Sequence, residues 1–176
     1  LRERFDIADD AEIAVELDPR DATEDYIKGI AEAGVNRASI GVQDFHPEVQ
    51  EAINRIQPFE VTKQVIDWLR QYGINSINMD LMYGLPHQTV ARVADQVEKA
   101  VSLEPQRIAL FGYAHVPWMK EHQKLISEAD LPDADARWEQ AEAASDRLVE
   151  LGYVRIGFDH FARPDDSLAV ALSNGT

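Results

Sequence analysis

The chain has 176 residues, a formal net charge of -15 at pH 7 and no cysteine. This length suffices for one domain with a buried core, and a composition of 45% hydrophobic and 28% charged residues is typical of a globular protein. The acidic balance disfavours general nucleic-acid binding, and the missing cysteines remove disulfides and thiolate metal ligands from this chain.

Membrane and export signals are also missing from the sequence pattern. No apolar run approaches the roughly 20 residues that a membrane span needs. The first residues show no basic region followed by an apolar block, so we expect no signal peptide and a cytoplasmic protein.

Strand-like and helix-like patterns alternate along the chain, which predicts parallel β/α units. The predicted strands cover 12–17, 37–42, 74–82, 107–111 and 153–158. The predicted helices cover 23–33, 47–54, 59–72, 88–103 and 135–151, with a short one at 166–172. A barrel-like sheet and an open doubly wound sheet both fit. The sequence has no Gly-rich phosphate loop, which weighs against a doubly wound nucleotide-binding fold.

Polar residues stand late in four of the predicted strands. Asp80 interrupts an apolar run, and a buried carboxylate needs partners, solvent or a proton. Glu16, Gln43 and the pair Tyr113–Ala114 occupy comparable positions in other strands. Because parallel β/α folds bind ligands at one set of strand ends, we expect these residues to converge on one site.

Each of these residues also has a plainer interpretation. A single acid after a strand is more often a helix cap or a turn partner, and Asp18 and Asp44 fit that role. Arg55 follows a short helix, where it could complement the helix dipole or bind a carboxylate. His115 is one histidine in a turn and is weak evidence for acid–base chemistry.

Six strings stand out in the sequence, namely Glu16–Arg20, Gly41–Phe45, Asn54–Gln57, Asp80–Pro86, Tyr113–Pro117 and Asp159–Asp166. In this order and spacing they resemble one family, the oxygen-independent coproporphyrinogen III oxidases, which are radical S-adenosylmethionine enzymes of haem biosynthesis. The resemblance runs from Ile13 to Ala171. Some of the motifs also occur in haem chaperones of the same superfamily.

The resemblance implies a partial (β/α) barrel with parallel strands and helices outside. Residues 1–151 would supply the central and C-terminal β/α units, and 152–176 the start of a C-terminal extension. The family holds a 4Fe–4S cluster on a three-cysteine loop upstream of the first strand seen here. The chain therefore resembles a fragment without the cluster-binding loop, which we expect to be inactive alone.

The same resemblance implies five cofactor-binding residues, namely Glu16, Gln43, Arg55, Asp80 and Ala114, shared between two S-adenosylmethionine molecules. It implies no metal ligand in this chain and leaves the catalytic residues unassigned. The chemistry of the side chains agrees, because carboxylates accept hydrogen bonds from ribose hydroxyls or an ammonium and an arginine clamps a carboxylate.

The implied reaction converts two propionates of coproporphyrinogen III to vinyl groups through a 5′-deoxyadenosyl radical, giving protoporphyrinogen IX. The implied partners are this small substrate and electron carriers of unknown identity, with a monomeric complete protein, no nucleic acid and no membrane span. Two alternatives remain open. One is a haem chaperone, and the other is a stand-alone hydrolase that uses Asp80 and Glu16 as acid and base.

Overall fold

The computed structural model describes residues 4–175, and within them six strands form one sheet. The strands are β1 Ala14–Leu17, β2 Arg37–Gln43, β3 Ser76–Tyr83, β4 Arg107–Gly112, β5 Val154–Arg155 and β6 His160–Ala162. The α-helices are α1 Glu24–Glu32, α2 Pro47–Ala52, α3 Phe59–Gln71, α4 Val90–Ser102, α5 Ala134–Glu150 and α6 Ser167–Asn174. Two short 3₁₀ helices, Glu121–Leu125 and Glu128–Asp130, follow β4.

The sheet is parallel through its first four strands and then changes direction. The strand order is β1-β2-β3-β4-β6-β5, so the described part of the sheet does not close into a barrel. β6 pairs antiparallel with β4, and β5 pairs antiparallel with β6. The helices α1, α3 and α4 connect the parallel strands, as β/α crossovers require.

The prediction that residues 153–158 form a single strand, the fifth of the sheet, is wrong. The chain turns at Gly157 and Phe158, whose carbonyl oxygens accept hydrogen bonds from the Arg155 guanidinium. A connection this short allows only an antiparallel hairpin, so two short strands replace one. The proposed division at residue 151 stays a prediction, although the strands after it belong to the same sheet as β1–β4.

Alternation along β2 and β3 separates the two faces of the sheet. Ile40 and Val42 of β2 and Met79 of β3 are buried in the main core. That core also receives apolar side chains of the helices, including Ile27, Ile66, Leu69, Val93, Val97 and Leu148. The opposite side carries Glu16, Ser39, Gly41, Asn78, Asp80 and Phe111, all of them partly or fully exposed. We call these six residues the open face.

Capping residues begin the helices that border the sheet. The Thr23 hydroxyl accepts a hydrogen bond from the Tyr26 amide at the start of α1, as its sequence position predicts. Thr89 does the same for Arg92 in α4. Within residues 4–175, no helix combines the length and the apolar character needed to cross a bilayer.

Candidate functional site

The end of β2 carries an irregularity that brings two polar side chains together. The register with β3 shifts between Gly41 and Gln43, and Gln43 adopts a left-handed backbone with φ of 69°. Such a conformation is uncommon for a residue with a side chain. A Cβ on Gly41 would lie 3.2 Å from Gln43 Nε2 and 3.3 Å from Arg55 Nη2. The glycine therefore lets the amide and the guanidinium lie close to the backbone of β2.

Arg55 is held by the ends of the first two strands. Its Nη2 donates to the carbonyl oxygen of Gly41 at 2.8 Å, and its Nη1 donates to Oδ2 of Asp18 at 3.0 Å. Burial lowers the pKa of the guanidinium, and the Asp18 charge opposes that shift. Among the described residues nothing hydrogen-bonds the buried Nε atom. Arg55 is therefore a positioned cation with unused capacity, not the exposed helix-end residue that its sequence position also allows.

Asp18 links two arginines at this end of the sheet. The Arg20 side chain hydrogen-bonds both carboxylate oxygens and, together with Arg55, holds the pKa of Asp18 down at about 2. Asp18 is therefore ionised at neutral pH, and one carboxylate serves two guanidinium groups.

Asp80 lies half-buried in the middle of β3, on the open face. Its Oδ1 accepts a hydrogen bond from Asn78 Nδ2 at 2.8 Å, and its Oδ2 accepts one from the Ser39 hydroxyl at 3.3 Å. Burial raises the pKa of this carboxyl above its usual value, while both hydrogen bonds act in the opposite direction. The nearby charge of Glu16 adds to the rise.

Glu16 lies on the same face, with β2 between its strand and that of Asp80. It pairs with Ser39 in the β1–β2 register and its side chain is exposed. Glu16, Ser39 and Asp80 thus form a polar row across three parallel strands. These carboxylates face away from the helices and are accessible to a ligand.

A cavity of about 600 Å³ opens beside this row, at the ends of the parallel strands. Its lining includes three of the predicted site residues, Gln43, Arg55 and Ala114. Glu16 and Asp80 lie on the open face and are not part of that lining. The remaining lining residues are Arg20, Ile53, Asn54, Met82, Leu85, Gly112, Tyr113, Val116, Lys120, His122, Gln123 and Ile126.

A buried hydrogen-bond network around Asp44 lies near the site and was not predicted from the sequence. Asp44 is fully buried, and its carboxylate accepts hydrogen bonds from the Gln88 amide and from the backbone of His46. Gln88 also donates to the Met82 carbonyl oxygen and accepts from the Leu85 amide. Asp44 therefore joins the end of β2 to the turn after β3, whereas its sequence position indicated only a local turn partner. No sequence signal links two residues 44 positions apart.

The histidines near the cavity do not form a metal centre. The Tyr113 hydroxyl lies 3.0 Å from Nδ1 of His115, and His115 Nε2 lies 3.5 Å from a Glu128 carboxylate oxygen. Across residues 4–175, no group of three or more histidines and carboxylates is arranged to hold a metal ion.

Comparison with known proteins identifies the class that this fold and site define. Residues 1–100 match the Radical SAM superfamily, and the chain belongs to it. The predicted fold of the partial-barrel type is thereby confirmed for the parallel β/α part of the sheet.

Relatives that match nearly the whole chain share the name coproporphyrinogen III oxidase. The chain is 56% identical, over all 176 residues, to an oxygen-independent coproporphyrinogen III oxidase of Bradyrhizobium diazoefficiens, and 52% identical over 168 residues to that of Cereibacter sphaeroides. It covers 39% and 37% of those two proteins. The solved coproporphyrinogen III oxidase of Escherichia coli, a radical SAM enzyme, superposes with a TM-score of 0.94 at 42% identity, over 99% of this chain and 40% of that one. The chain thus spans about two fifths of the length of these relatives.

The residues present fit S-adenosylmethionine, the cofactor of the superfamily. Arg55 lines the cavity with a partly exposed guanidinium, which suits the carboxylate of an amino acid head group. The carboxylates of the open face suit hydroxyl or ammonium donors. An iron–sulfur cluster does not fit these residues, because the chain contains no cysteine.

Proposed function

We propose that the complete protein is a cytoplasmic oxygen-independent coproporphyrinogen III oxidase, which decarboxylates two propionates of its substrate to vinyl groups. The observation that carries this proposal is the 56% identity to a relative of that name over the entire chain, beyond the 100 residues that match the superfamily. A haem chaperone would share the superfamily match, but the relatives at this identity carry the oxidase name.

The proposed cofactors are two S-adenosylmethionine molecules and a 4Fe–4S cluster whose thiolates come from residues outside these 176. When bound, they supply the carbon radical that removes hydrogen from a propionate side chain. The parts played by this chain are binding and orientation. Arg55 clamps a carboxylate, Glu16 and Asp80 accept hydrogen bonds, Gln43 both donates and accepts, and Ala114 contributes backbone and little bulk.

Arg55 gives the sharpest test of cofactor binding. We expect Arg55→Ala in the full-length protein to weaken S-adenosylmethionine binding by roughly 10- to 100-fold, because a charge-assisted hydrogen bond contributes about 1.5–3 kcal/mol. Arg55→Lys should recover only part of the affinity, since an ammonium cannot form the two-pronged contact. Isothermal titration calorimetry measures both effects.

Arg147→Ala is the matched control. Arg147 lies on the surface of α5, paired with Glu98 and Glu150, and its loss should leave the affinity unchanged. Equal affinity of the Arg55→Ala protein and wild type would remove Arg55 from the cofactor site. The activity itself is tested by anaerobic release of carbon dioxide from coproporphyrinogen III. Tight haem binding without that product would contradict the proposed oxidase.

A further inference from the structure

The cavity is cationic although the chain is strongly acidic. The chain has 32 Asp and Glu residues against 17 Lys and Arg. The cavity lining, which lies wholly within residues 4–175, contains four basic residues, Arg20, Arg55, Lys120 and His122, and no Asp or Glu. Such a local reversal of charge concentrates anionic ligands at one place on an otherwise anionic molecule.

These four basic residues fall into two pairs. Arg20 and Arg55 are both bound to Asp18, so one negative charge already lies between them. Lys120 and His122 come from the segment after β4, and in the described part of the chain no carboxylate lies within 4 Å of either side chain. Glu121, between them in sequence, pairs with Lys124 at 3.5 Å and does not line the cavity.

The segment that carries Lys120 and His122 is fixed by a buried side chain. Gln123 is 8% exposed; its Oε1 accepts a hydrogen bond from the Val116 amide at 2.6 Å and its Nε2 donates to the Ala114 carbonyl oxygen at 3.1 Å. Lys120 also continues a turn in which its amide donates to the Val116 carbonyl oxygen. Lys120 and His122 are therefore attached to a positioned turn next to Ala114.

The same segment exposes an unusual amount of apolar surface. Trp118, Met119 and Leu125 are 76%, 72% and 81% exposed. Large exposed apolar side chains beside the N–H donors of Lys120 and His122 suit an amphiphilic ligand with an apolar ring and acidic groups at its edge. A ligand that is only a small polar ion makes no use of the apolar part.

We propose that Lys120 and His122 bind a propionate carboxylate of the tetrapyrrole substrate, with Trp118 and Met119 against its ring. This inference rests on the proposed function and adds the residues that recognise the substrate. It leaves Arg55 to the carboxylate of S-adenosylmethionine, so each carboxylate has its own hydrogen-bond donors. Each contact is a charge-assisted hydrogen bond from an N–H donor to a carboxylate oxygen.

The test uses the full-length protein and coproporphyrin III, a fluorescent tetracarboxylate that reports binding without turnover. We expect Lys120→Ala with His122→Ala to raise the dissociation constant of coproporphyrin III about tenfold. S-adenosylmethionine affinity should stay unchanged. Lys120→Arg should retain most of the binding. The tetramethyl ester of coproporphyrin III lacks the carboxylates, and its affinity should not respond to these substitutions.

Lys124→Ala is the matched control, because it removes a lysine from the 3₁₀ helix that follows Lys120, at a residue outside the cavity lining. Three results would overturn the inference: wild-type coproporphyrin affinity in the double variant, an equal loss in the Lys124→Ala protein, or a loss of S-adenosylmethionine affinity instead. If wild type itself neither binds coproporphyrin III nor releases carbon dioxide from the reduced substrate, the proposed function fails as well. The two failures are therefore distinguishable.

Discussion

At the scale of single residues, Asp80 is under conflicting demands. Its carboxylate is half-buried, which raises its pKa, and two donors, Asn78 on the same strand and Ser39 on the neighbouring strand, counteract that rise. A carboxylate whose burial is unfavourable in this way is expected at a position where ligand binding, rather than stability, determines the residue type.

Replacing Asp80 by asparagine, which has the same shape but no charge, separates the effect of burying the charge from the effect of the hydrogen bonds. We expect Asp80→Asn to raise the free energy of unfolding at neutral pH, by up to about 1 kcal/mol, because an amide has no charge to desolvate. The amide keeps both contacts: its oxygen accepts from Asn78 Nδ2, and its nitrogen donates to the Ser39 hydroxyl oxygen, which already accepts from Asn78 Nδ2. Denaturant unfolding measures the effect.

The stability difference between Asp80→Asn and wild type should depend on pH. The folded-state pKa of Asp80 lies above the ordinary value of an aspartate, so the folded state prefers the protonated acid. The advantage of the variant should therefore be absent well below the unfolded-state pKa of about 3.9, grow as pH rises through the raised pKa and then level off. An advantage that is constant with pH would show that burial of charge is not its cause.

Residue-level prediction succeeded where one position carries its own signal. Asp80 stood out because a carboxylate interrupts an apolar strand. Arg55 could not be decided, because its meaning depends on Gly41 and Asp18, which lie 14 and 37 positions away. Buried Asp44 was assigned to a turn for the same reason. The grouping of Glu16, Gln43, Arg55, Asp80 and Ala114 as cofactor ligands stays a prediction until binding is measured.

At the scale of elements, the end of β2 shows how a strand makes a site. The register shift and the left-handed Gln43 turn its side chain toward Arg55 over a glycine. A left-handed conformation costs about 1–2 kcal/mol for a residue with a Cβ. The bulge therefore stores strain at the rim of the cavity.

Glycine and alanine at position 43 separate this strain from the side chain. Both substitutions remove the amide, but only glycine tolerates the left-handed backbone. We expect the Gln43→Gly protein to exceed the Gln43→Ala protein by about 1 kcal/mol in unfolding free energy. Gln64 in α3 is the control, because glycine should be about 1 kcal/mol worse than alanine in a helix. The same ranking at both positions would contradict strain at Gln43.

The ends of the helices and of the long strands were predictable to within about two residues, because caps such as Thr23 and periodic apolar positions mark them. The hairpin after α5 was not predictable, because strands of two and three residues are too short for an alternating pattern. The two 3₁₀ helices between β4 and α5 have no periodic pattern that predicts them, because they depend on contacts such as those of Gln123.

At the scale of the whole molecule, the charge of -15 acts on both stability and recognition. Like charges repel one another in the compact state more than in the unfolded chain. The basic cavity attracts anions only over short range, because the surrounding acid dominates at a distance and salt screens beyond about 10 Å at 0.1 M.

Salt should therefore stabilise this molecule. We expect the unfolding temperature to rise between about 10 mM and 0.2 M sodium chloride, because screening weakens repulsion among the acidic groups. Calorimetry at fixed pH measures this change, and potassium chloride serves as a control for an effect of sodium itself. A falling unfolding temperature would mean that the surface ion pairs outweigh the repulsion.

The antiparallel hairpin makes the two edges of the sheet unequal. At one edge, only the two residues Val154–Arg155 of β5 are available to pair with a further strand. At the other, β1 offers Ala14–Leu17, already aligned with three parallel strands. A further parallel strand added next to Ala14–Leu17 would make β1 an interior strand and would place Glu16 between two neighbouring strands.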